Sequence, residues 1–269
     1  MEIGDYAQAL TGTVNAVINS PGRLYFSPVG MSQQAPFVDA AASIDPQNKA
    51  NTFISYYTYG AATGLALDLD IRARFPGRSL DDFMRLMWLK YGRTERPYTL
   101  DDVRRTLGET VGSAVYADDV YRHYIMGSEL PPYGVLLAHA GLSLRRARAG
   151  AAWLGALNLV AGDSGLLVGG PVLVGTPAYA AGIAQGDRLI SLSGRNMLAA
   201  ADVDSLLAGQ KPGSRLSGII VGRDGRREVV VTLAEDPRVE IVPYEVAGLP
   251  VTTAIRNFRE SWMGSKRRR

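Results

Sequence analysis

Tyr56, Tyr57 and Tyr59 crowd the entry of an apolar helix, in the run Ser55-Tyr56-Tyr57-Thr58-Tyr59-Gly60. A buried phenol must place its hydroxyl on a partner or leave a desolvated polar group. The same hydroxyl, aimed at a reaction centre, donates to a developing oxyanion. Both readings stand at this point. Few other groups have catalytic reach. The chain has 2 histidines, His123 and His139, far apart in sequence, and no cysteine. Disulfide and thiol chemistry are therefore closed to it. No G-x-S-x-G run presents a nucleophilic serine.

The elements that must hold these residues follow from length and pattern. With 269 residues the chain has room for two domains, and 46% hydrophobic with 20% charged residues is an ordinary globular composition. A net charge of +3, from 29 basic and 26 acidic residues, makes no case for nucleic acid. The dense basic run Lys266 to Arg269 reads as a solvated tail, against a phosphate-binding patch. No apolar run is long enough for a transmembrane helix. The start, Met1 to Asp5, has no signal-peptide pattern. It reads as the interior of a helical region, so the chain is expected to begin partway through a larger protein.

Residues 5 to 19 fit an amphipathic helix with Tyr6, Leu10, Val14, Val17 and Ile18 on one face, ended by Pro21-Gly22. Residues 22 to 50 show no sustained period and read as a long ordered loop, with a short helix near Phe37 to Ala42. Residues 53 to 73 form the tyrosine helix, uncharged from Tyr59 until Asp68 and so buried on most sides. Its Gly60 and Gly64, one turn apart, would let another element approach closely. Ser79-Leu80-Asp81-Asp82 and Thr99-Leu100-Asp101-Asp102 each offer an N-cap hydroxyl and first-turn carboxylates. Further helices are predicted over Ala117 to Met126 and Tyr133 to Ala140. From Leu142 the pattern becomes short strands: Leu142 to Arg146, Gly165 to Val168, Pro171 to Val174, Arg188 to Leu192, Leu216 to Val221 and Glu228 to Leu233. One helix, Ala200 to Ala208, interrupts them. A strand over Val239 to Val242 and a helix from Thr252 to Trp262 close the chain. The predicted class is α+β, an all-α N-terminal region followed by a small β-barrel module.

The segment Gly175-Thr176-Pro177-Ala178-Tyr179-Ala180-Ala181-Gly182-Ile183-Ala184-Gln185-Gly186-Asp187-Arg188-Leu189-Ile190 resembles a PDZ domain of the bacterial type. Leu192-Ser193-Gly194, Pro212-Gly213-Ser214 and Val221-Gly222-Arg223-Asp224-Gly225 continue the match. The resemblance implies a groove in which a peptide adds as a strand, its terminal carboxylate received by backbone N–H groups. The loop in that role would be Trp153-Leu154-Gly155-Ala156. The facing helix would supply Val203, Leu206 and Leu207. The groove is either open to a peptide or filled from within the molecule.

The helical half resembles the C-terminal region of the glycyl aminopeptidase family, gluzincin zinc peptidases of clan MA. The residues that carry this are Ser20-Pro21-Gly22-Arg23, Ser55 to Gly60, Leu67-Asp68-Leu69-Asp70-Ile71-Arg72, Ser79-Leu80-Asp81-Asp82-Phe83-Met84, Trp88, Tyr91-Gly92 and Tyr124-Ile125-Met126-Gly127. Helices, then a PDZ domain, then a short tail containing Trp262 is also the family's order. Tyr59 departs from it, since the commonest family form has lysine before the glycine. The resemblance implies three parts: residues 1–141 as the helical end of a metallopeptidase domain, 142–236 as the PDZ domain and 237–269 as a tail. By position it makes Tyr57 the oxyanion donor of the intact enzyme, with Tyr56 and Tyr59 structural.

Such an enzyme needs H-E-x-x-H on a helix and a later glutamate to hold zinc and activate water. Neither is in this chain. His123 and His139 read as packing or helix-end residues. The expectation is therefore a C-terminal portion, with zinc and the catalytic domain supplied N-terminal to it, inactive alone. The family implies removal of N-terminal glycine or alanine from peptides, and a periplasmic or exported full-length form. The alternative is a non-enzymatic PDZ interaction module.

Overall fold

The computed structural model describes residues 3–38 and 46–264. Most of the expected helix near Phe37 to Ala42, and the basic run Lys266 to Arg269, lie outside the described residues. Helix α1 (Ile3–Ile18) buries Ala7, Leu10, Val14 and Val17 at spacings of three and four. Ser20-Pro21-Gly22-Arg23 then makes a tight 3-10 turn, the Ser20 hydroxyl accepting from the Gly22 N–H. Where a long loop was expected, the chain forms α2 (Pro28–Gln33), α3 (Ala35–Val38) and α4 (Pro46–Thr52). Pro28 and Pro46 open two of them, at a position where the missing N–H has no helical partner to lose.

The tyrosine helix is α5 (Tyr56–Arg74). After it come α6 (Leu80–Met87), α7 (Leu100–Val111), α8 (Ala114–Val120) and α9 (Tyr133–His139). Thr99 makes the expected capping box with Asp102. Ser79 instead donates its hydroxyl to Asp82. Helices α6 and α8 run on as π-helical turns, Trp88–Gly92 and Tyr121–Ile125. Ile71, Leu107, Val111, Tyr116, Ala117 and Val120 form a small core there, and the Tyr116 hydroxyl donates to Asp70 at 2.9 Å.

Strands and short helices then alternate: β1 (Leu142–Arg146), β2 (Ala152–Trp153), β3 (Leu159–Gly162), β4 (Gly165–Val168), α10 (Pro177–Ala180), β5 (Arg188–Leu192) and β6 (Arg195–Asn196). They continue with α11 (Ala200–Ala208), β7 (Arg215–Gly222), β8 (Gly225–Thr232), β9 (Ala234–Glu235), β10 (Val239–Pro243) and α12 (Thr253–Met263). The main sheet is antiparallel in the order β3-β4-β5-β7-β8, with β6 on β5. Its outer strands β3 and β8 do not pair, so the sheet is open where a barrel was expected. Helix α11, not another strand, faces the free edge of β3. The α+β class stands.

The ribbon β1–β10 is separate from that sheet. It pairs from Leu142↔Pro243 to Arg146↔Val239. Leu142 and Ile241 are buried with α1 and α9, in the helical core rather than the sheet core. The chain therefore enters and leaves the sheet unit through one two-stranded neck, which Ala147 N–H extends by donating to Arg238 O at 3.0 Å.

Two side-chain amides tie this neck and the sheet unit to the helices. Asn15 on α1 donates to Val239 O at 2.6 Å and accepts from Val239 N–H at 2.9 Å. Thr11, one turn earlier, accepts from Ile241 N–H at 2.9 Å. Asn51 at the end of α4 donates to Val172 O at 3.2 Å and accepts from Val174 N–H at 2.7 Å. The segment Pro171 to Val174, read as a strand in sequence, is a loop. Pro171 has no N–H for a ladder, and the Asn51 amide takes the place of a neighbouring strand at Val172 and Val174.

Asn15→Ala removes both bonds to Val239 and leaves its polar groups half-buried without them. A loss of about 1–3 kcal/mol in urea unfolding is expected. A loss under about 0.5 kcal/mol would mean that β1 alone holds β10 in place.

Candidate functional site

Two places gather the residues that the sequence singled out. The first is the opening turn of α5. Successive helix residues turn by about 100°, so Tyr57 and Tyr59 face nearly opposite ways. The structure puts Tyr59 inward at 3% exposure and Tyr57 outward at 76%. The Tyr56 ring lies against the Tyr57 ring, centroids 4.6 Å apart. Burial raises the Tyr59 phenol above its ordinary pKa, and the Arg23 guanidinium draws it partly back. Its hydroxyl makes no hydrogen bond among the described residues. Tyr133, buried in the same core, is raised by burial and by Tyr59. Gly60 and Gly64 do not serve a close approach. A methyl at Gly60 would meet nothing within 4 Å, and one at Gly64 only the tip of Leu80 at 3.8 Å.

The histidines lie on different elements. His123 sits between Asp119 at 3.4 Å and Glu129 at 2.7 Å. His139 stacks on Phe258, ring centroids 5.8 Å apart. Among the described residues no three His, Cys, Asp or Glu side chains converge as a metal site. These residues do not fit a catalytic zinc.

The second place is a cavity of about 490 Å³ between the loop after β2, the edge strand β3 and helix α11. Trp153, Leu154, Gly155 and Ala156 line it, as do Val203 and Leu207. Leu206 does not. It points into the sheet core at 4% exposure, one residue out of phase with the groove face. The loop is pinned from below, since Leu154 O accepts from Ala178 N–H at 2.9 Å. Gly155 has φ +135°, and a Cβ there would lie 3.3 Å from Thr176 Cβ, so the tight turn requires glycine. Among the described residues the N–H groups of Gly155 and Ala156 donate to nothing. Strand β3 pairs only with β4, which leaves its other edge open toward α11.

The rest of the wall comes from residues that the sequence did not flag. Asn19 at the end of α1, Arg148, Leu173, Thr176 and Arg238 all border the cavity. No sequence signal marks Asn19 or Leu173. Arg148 is exposed and without an ion pair among the described residues. Arg238 is oriented by Asp236, which is 1% exposed and bonds it at 2.5, 2.9 and 3.1 Å. Those bonds, the side-chain ones first, hold the Asp236 carboxyl below the usual carboxylate range. The arrangement is a slot with apolar walls, bordered by N–H groups that donate to nothing among the described residues, by Arg148, by Arg238 paired to Asp236, and by the Asp204 carboxylate. It can accept an extended chain carrying a negative group.

No family model matches the sequence, and neither does any curated protein. Among solved structures, the fold is similar to that of an aminopeptidase N family protein from Idiomarina loihiensis. The TM-score is 0.78 at 19% identity, over 96% of this chain and 44% of that one. The chain thus spans less than half the length of that structure, and at this identity the likeness defines a shared fold. A HtrA-type protease, AlgW with a decapeptide, overlays 33% of this chain and 30% of its own at 18% identity and TM-score 0.30. A serine endoprotease from Yersinia pestis overlays 33% of this chain and 30% of its own at 20% and 0.29. Those two overlays are too slight to carry an argument.

The Asp236 pair makes stability depend on pH in a definite direction. A carboxyl whose folded pKa is depressed contributes stability above its unfolded pKa and loses it as pH falls through the folded value. Wild type and Asp236→Asn should therefore differ most at neutral pH. The gap should close on acidification below the ordinary carboxylate pKa of about 3.9. Urea unfolding from pH 7 to pH 2.5 measures it. A gap that widens in acid would contradict the assignment.

Proposed function

We propose that this chain is the C-terminal, peptide-handling portion of a zinc aminopeptidase, with Tyr57 as the oxyanion donor and a separate PDZ-type groove. The observation that carries the reading is the outward Tyr57 hydroxyl on the first turn of α5, within a fold shared over 96% of the chain with an aminopeptidase N family protein. In the reaction, the peptide carbonyl becomes tetrahedral and its oxygen gains negative charge. The Tyr57 hydroxyl donates a hydrogen bond to that oxygen, an interaction stronger in the transition state than in the substrate. Zinc and the base that activates water belong to polypeptide N-terminal to these residues. The substrates are peptides with N-terminal glycine or alanine, and the site of action is the periplasm or beyond the cell.

The groove supports a second role that needs no catalysis, recognition of a peptide by strand addition to β3. The open strand edge and the unpaired Gly155 and Ala156 N–H groups favour it. If it operates alone, the chain is an interaction module of PDZ type.

Three measurements separate these readings. The 269-residue chain by itself should retain no stoichiometric zinc after dialysis and should not cleave glycyl or alanyl anilides. In polypeptide that carries the zinc site, Tyr57→Phe should lower kcat by about 10²–10³ with KM little changed, while Tyr59→Phe does far less. Unchanged kcat in Tyr57→Phe would end the catalytic assignment and leave the interaction module. For the groove, fluorescent heptapeptides with free carboxylates should bind at least about tenfold more tightly than their C-terminal amides. Equal affinity would remove the carboxylate-receiving role of the Gly155 turn.

A further inference from the structure

We infer that Asn51, which does not border the groove, is a positioning residue that sets the groove's affinity for peptide. The inference rests on the peptide-binding reading above. Its basis is the loop Val172 to Thr176, which has two faces. On one face Leu173 and Thr176 form part of the groove wall. On the other, the Asn51 amide grips the residues on either side of Leu173, donating to Val172 O at 3.2 Å and accepting from Val174 N–H at 2.7 Å. Asn51 is 8% exposed, so these bonds are shielded from water.

Besides the Asn51 bonds, the wall is held by Val172, buried in the sheet core, by the buried start of α10, and by bonds of its own. Leu173 O accepts from the Thr176 hydroxyl at 2.7 Å and the Thr176 N–H at 3.2 Å, both within the loop itself. Thr176 in turn packs on Gly155, whose N–H donates to nothing among the described residues. A loop released from Asn51 would let Leu173 and Thr176 drift together, widening the slot and loosening the Gly155 turn. Asn51 is itself firmly placed. Gly22 packs against the backbone of Thr52 and Phe53, where a Cβ would lie 3.0–3.1 Å away. Ile54 N–H meets Met31 Sδ at 3.3 Å. The anchor of the groove wall is thus the segment that leads directly into Tyr56 and Tyr57.

The test uses the full chain and the tightest member of an array of fluorescent heptapeptides with apolar last residues and free carboxylates. Asn51→Ala removes both bonds. Asn51→Asp keeps an acceptor for Val174 N–H and loses the donor to Val172 O. Tyr116→Phe deletes a comparable bond, to Asp70, in the third core far from the groove. Asn51→Ala should weaken peptide binding about tenfold, a factor within the range of two lost hydrogen bonds. Asn51→Asp should fall between it and wild type, and Tyr116→Phe should bind as wild type. Hydrogen exchange should show the Val174 amide protected in wild type and Asn51→Asp and unprotected in Asn51→Ala.

Wild-type affinity in Asn51→Ala overturns the inference and leaves the groove reading intact. Weakening in Tyr116→Phe to match Asn51→Ala also overturns it, since affinity would then follow stability alone. If Asn51→Ala does not fold, Asn51→Asp decides, and affinity equal to wild type there overturns the role of the Val172 bond. Wild type binding no peptide of the array sinks the groove reading and this inference with it.

Discussion

The structure depends on side-chain amides that imitate a strand. An asparagine side chain offers an amide N–H donor beside a carbonyl acceptor, at nearly the spacing of a peptide group. Asn15 turns one of each to Val239, and Asn51 turns one of each to Val172 and Val174. Helical backbone groups are already paired along the axis, so partners for an extended segment must come from side chains, here Asn15, Thr11 and Asn51. Without these amides the neck and the loop 172–176 would bring unpaired backbone groups against a helical surface, at a cost comparable to lost hydrogen bonds. The amides convert two mismatched surfaces, helix against extended chain, into one packed body.

The neck then decides how the groove is built. Because β1 pairs with β10, the sheet unit begins and ends at one point, beside the end of α1. That brings Asn19, Arg148 and Arg238 to the wall of the slot. None of the three belongs to the strand and helix that face each other across it. The guanidinium charge on the wall is thus a product of how the two units join. Arg259 reinforces the join from the far side, donating to Ala140 O at 2.6 Å and Gly141 O at 2.9 Å while paired to Glu245. Gly141 has φ +63°, and a Cβ there would lie 2.6 Å from Ile255, so the link between α9 and β1 admits no side chain.

Where the pattern is local, the sequence was readable. The apolar period of α1, the Thr99 capping box and the strands Leu142 to Arg146 and Arg188 to Leu192 all appear where their residues place them. Of the residues that the PDZ resemblance pointed to, Trp153 to Ala156, Val203 and Leu207 border the cavity and Leu206 does not. What escaped depends on distant partners. Asn15 and Asn51 look like ordinary polar residues, and their bonds span 224 and more than 120 positions. Pro171 to Val174 has strand composition, but no strand lies beside it. Leu206 fits the helix face by spacing, yet α11 is rotated so that Val203 and Leu206 are buried and Leu207 meets the cavity. The short helices α2 and α4 carry too few apolar residues to show a period, and only the prolines that open them were visible.

The tyrosines illustrate the same division. The sequence shows that Tyr57 and Tyr59 must face opposite ways, because both sit on one helix turn. The apolar spacing of Ile54, Tyr57, Ala61, Leu65 and Leu69 puts Tyr57 on the inner face, whereas the structure buries Tyr59, Ala62, Ala66 and Leu69. The structure settles the direction through α1 and α9, whose buried residues share a core with Tyr59 and Tyr133. Once Tyr59 is inside, Tyr57 is outside by geometry alone. Its exposure follows from that packing. What it does provide is a hydroxyl held on a rigid element, backed by the Tyr56 ring and free of intramolecular duty. A donor aimed at a developing charge must be placed before the charge appears, since reorganisation at that moment would cost what the bond supplies. The first turn of a long, well-packed helix meets that requirement better than a loop, and α5 is anchored at this end by the segment that Asn51 holds.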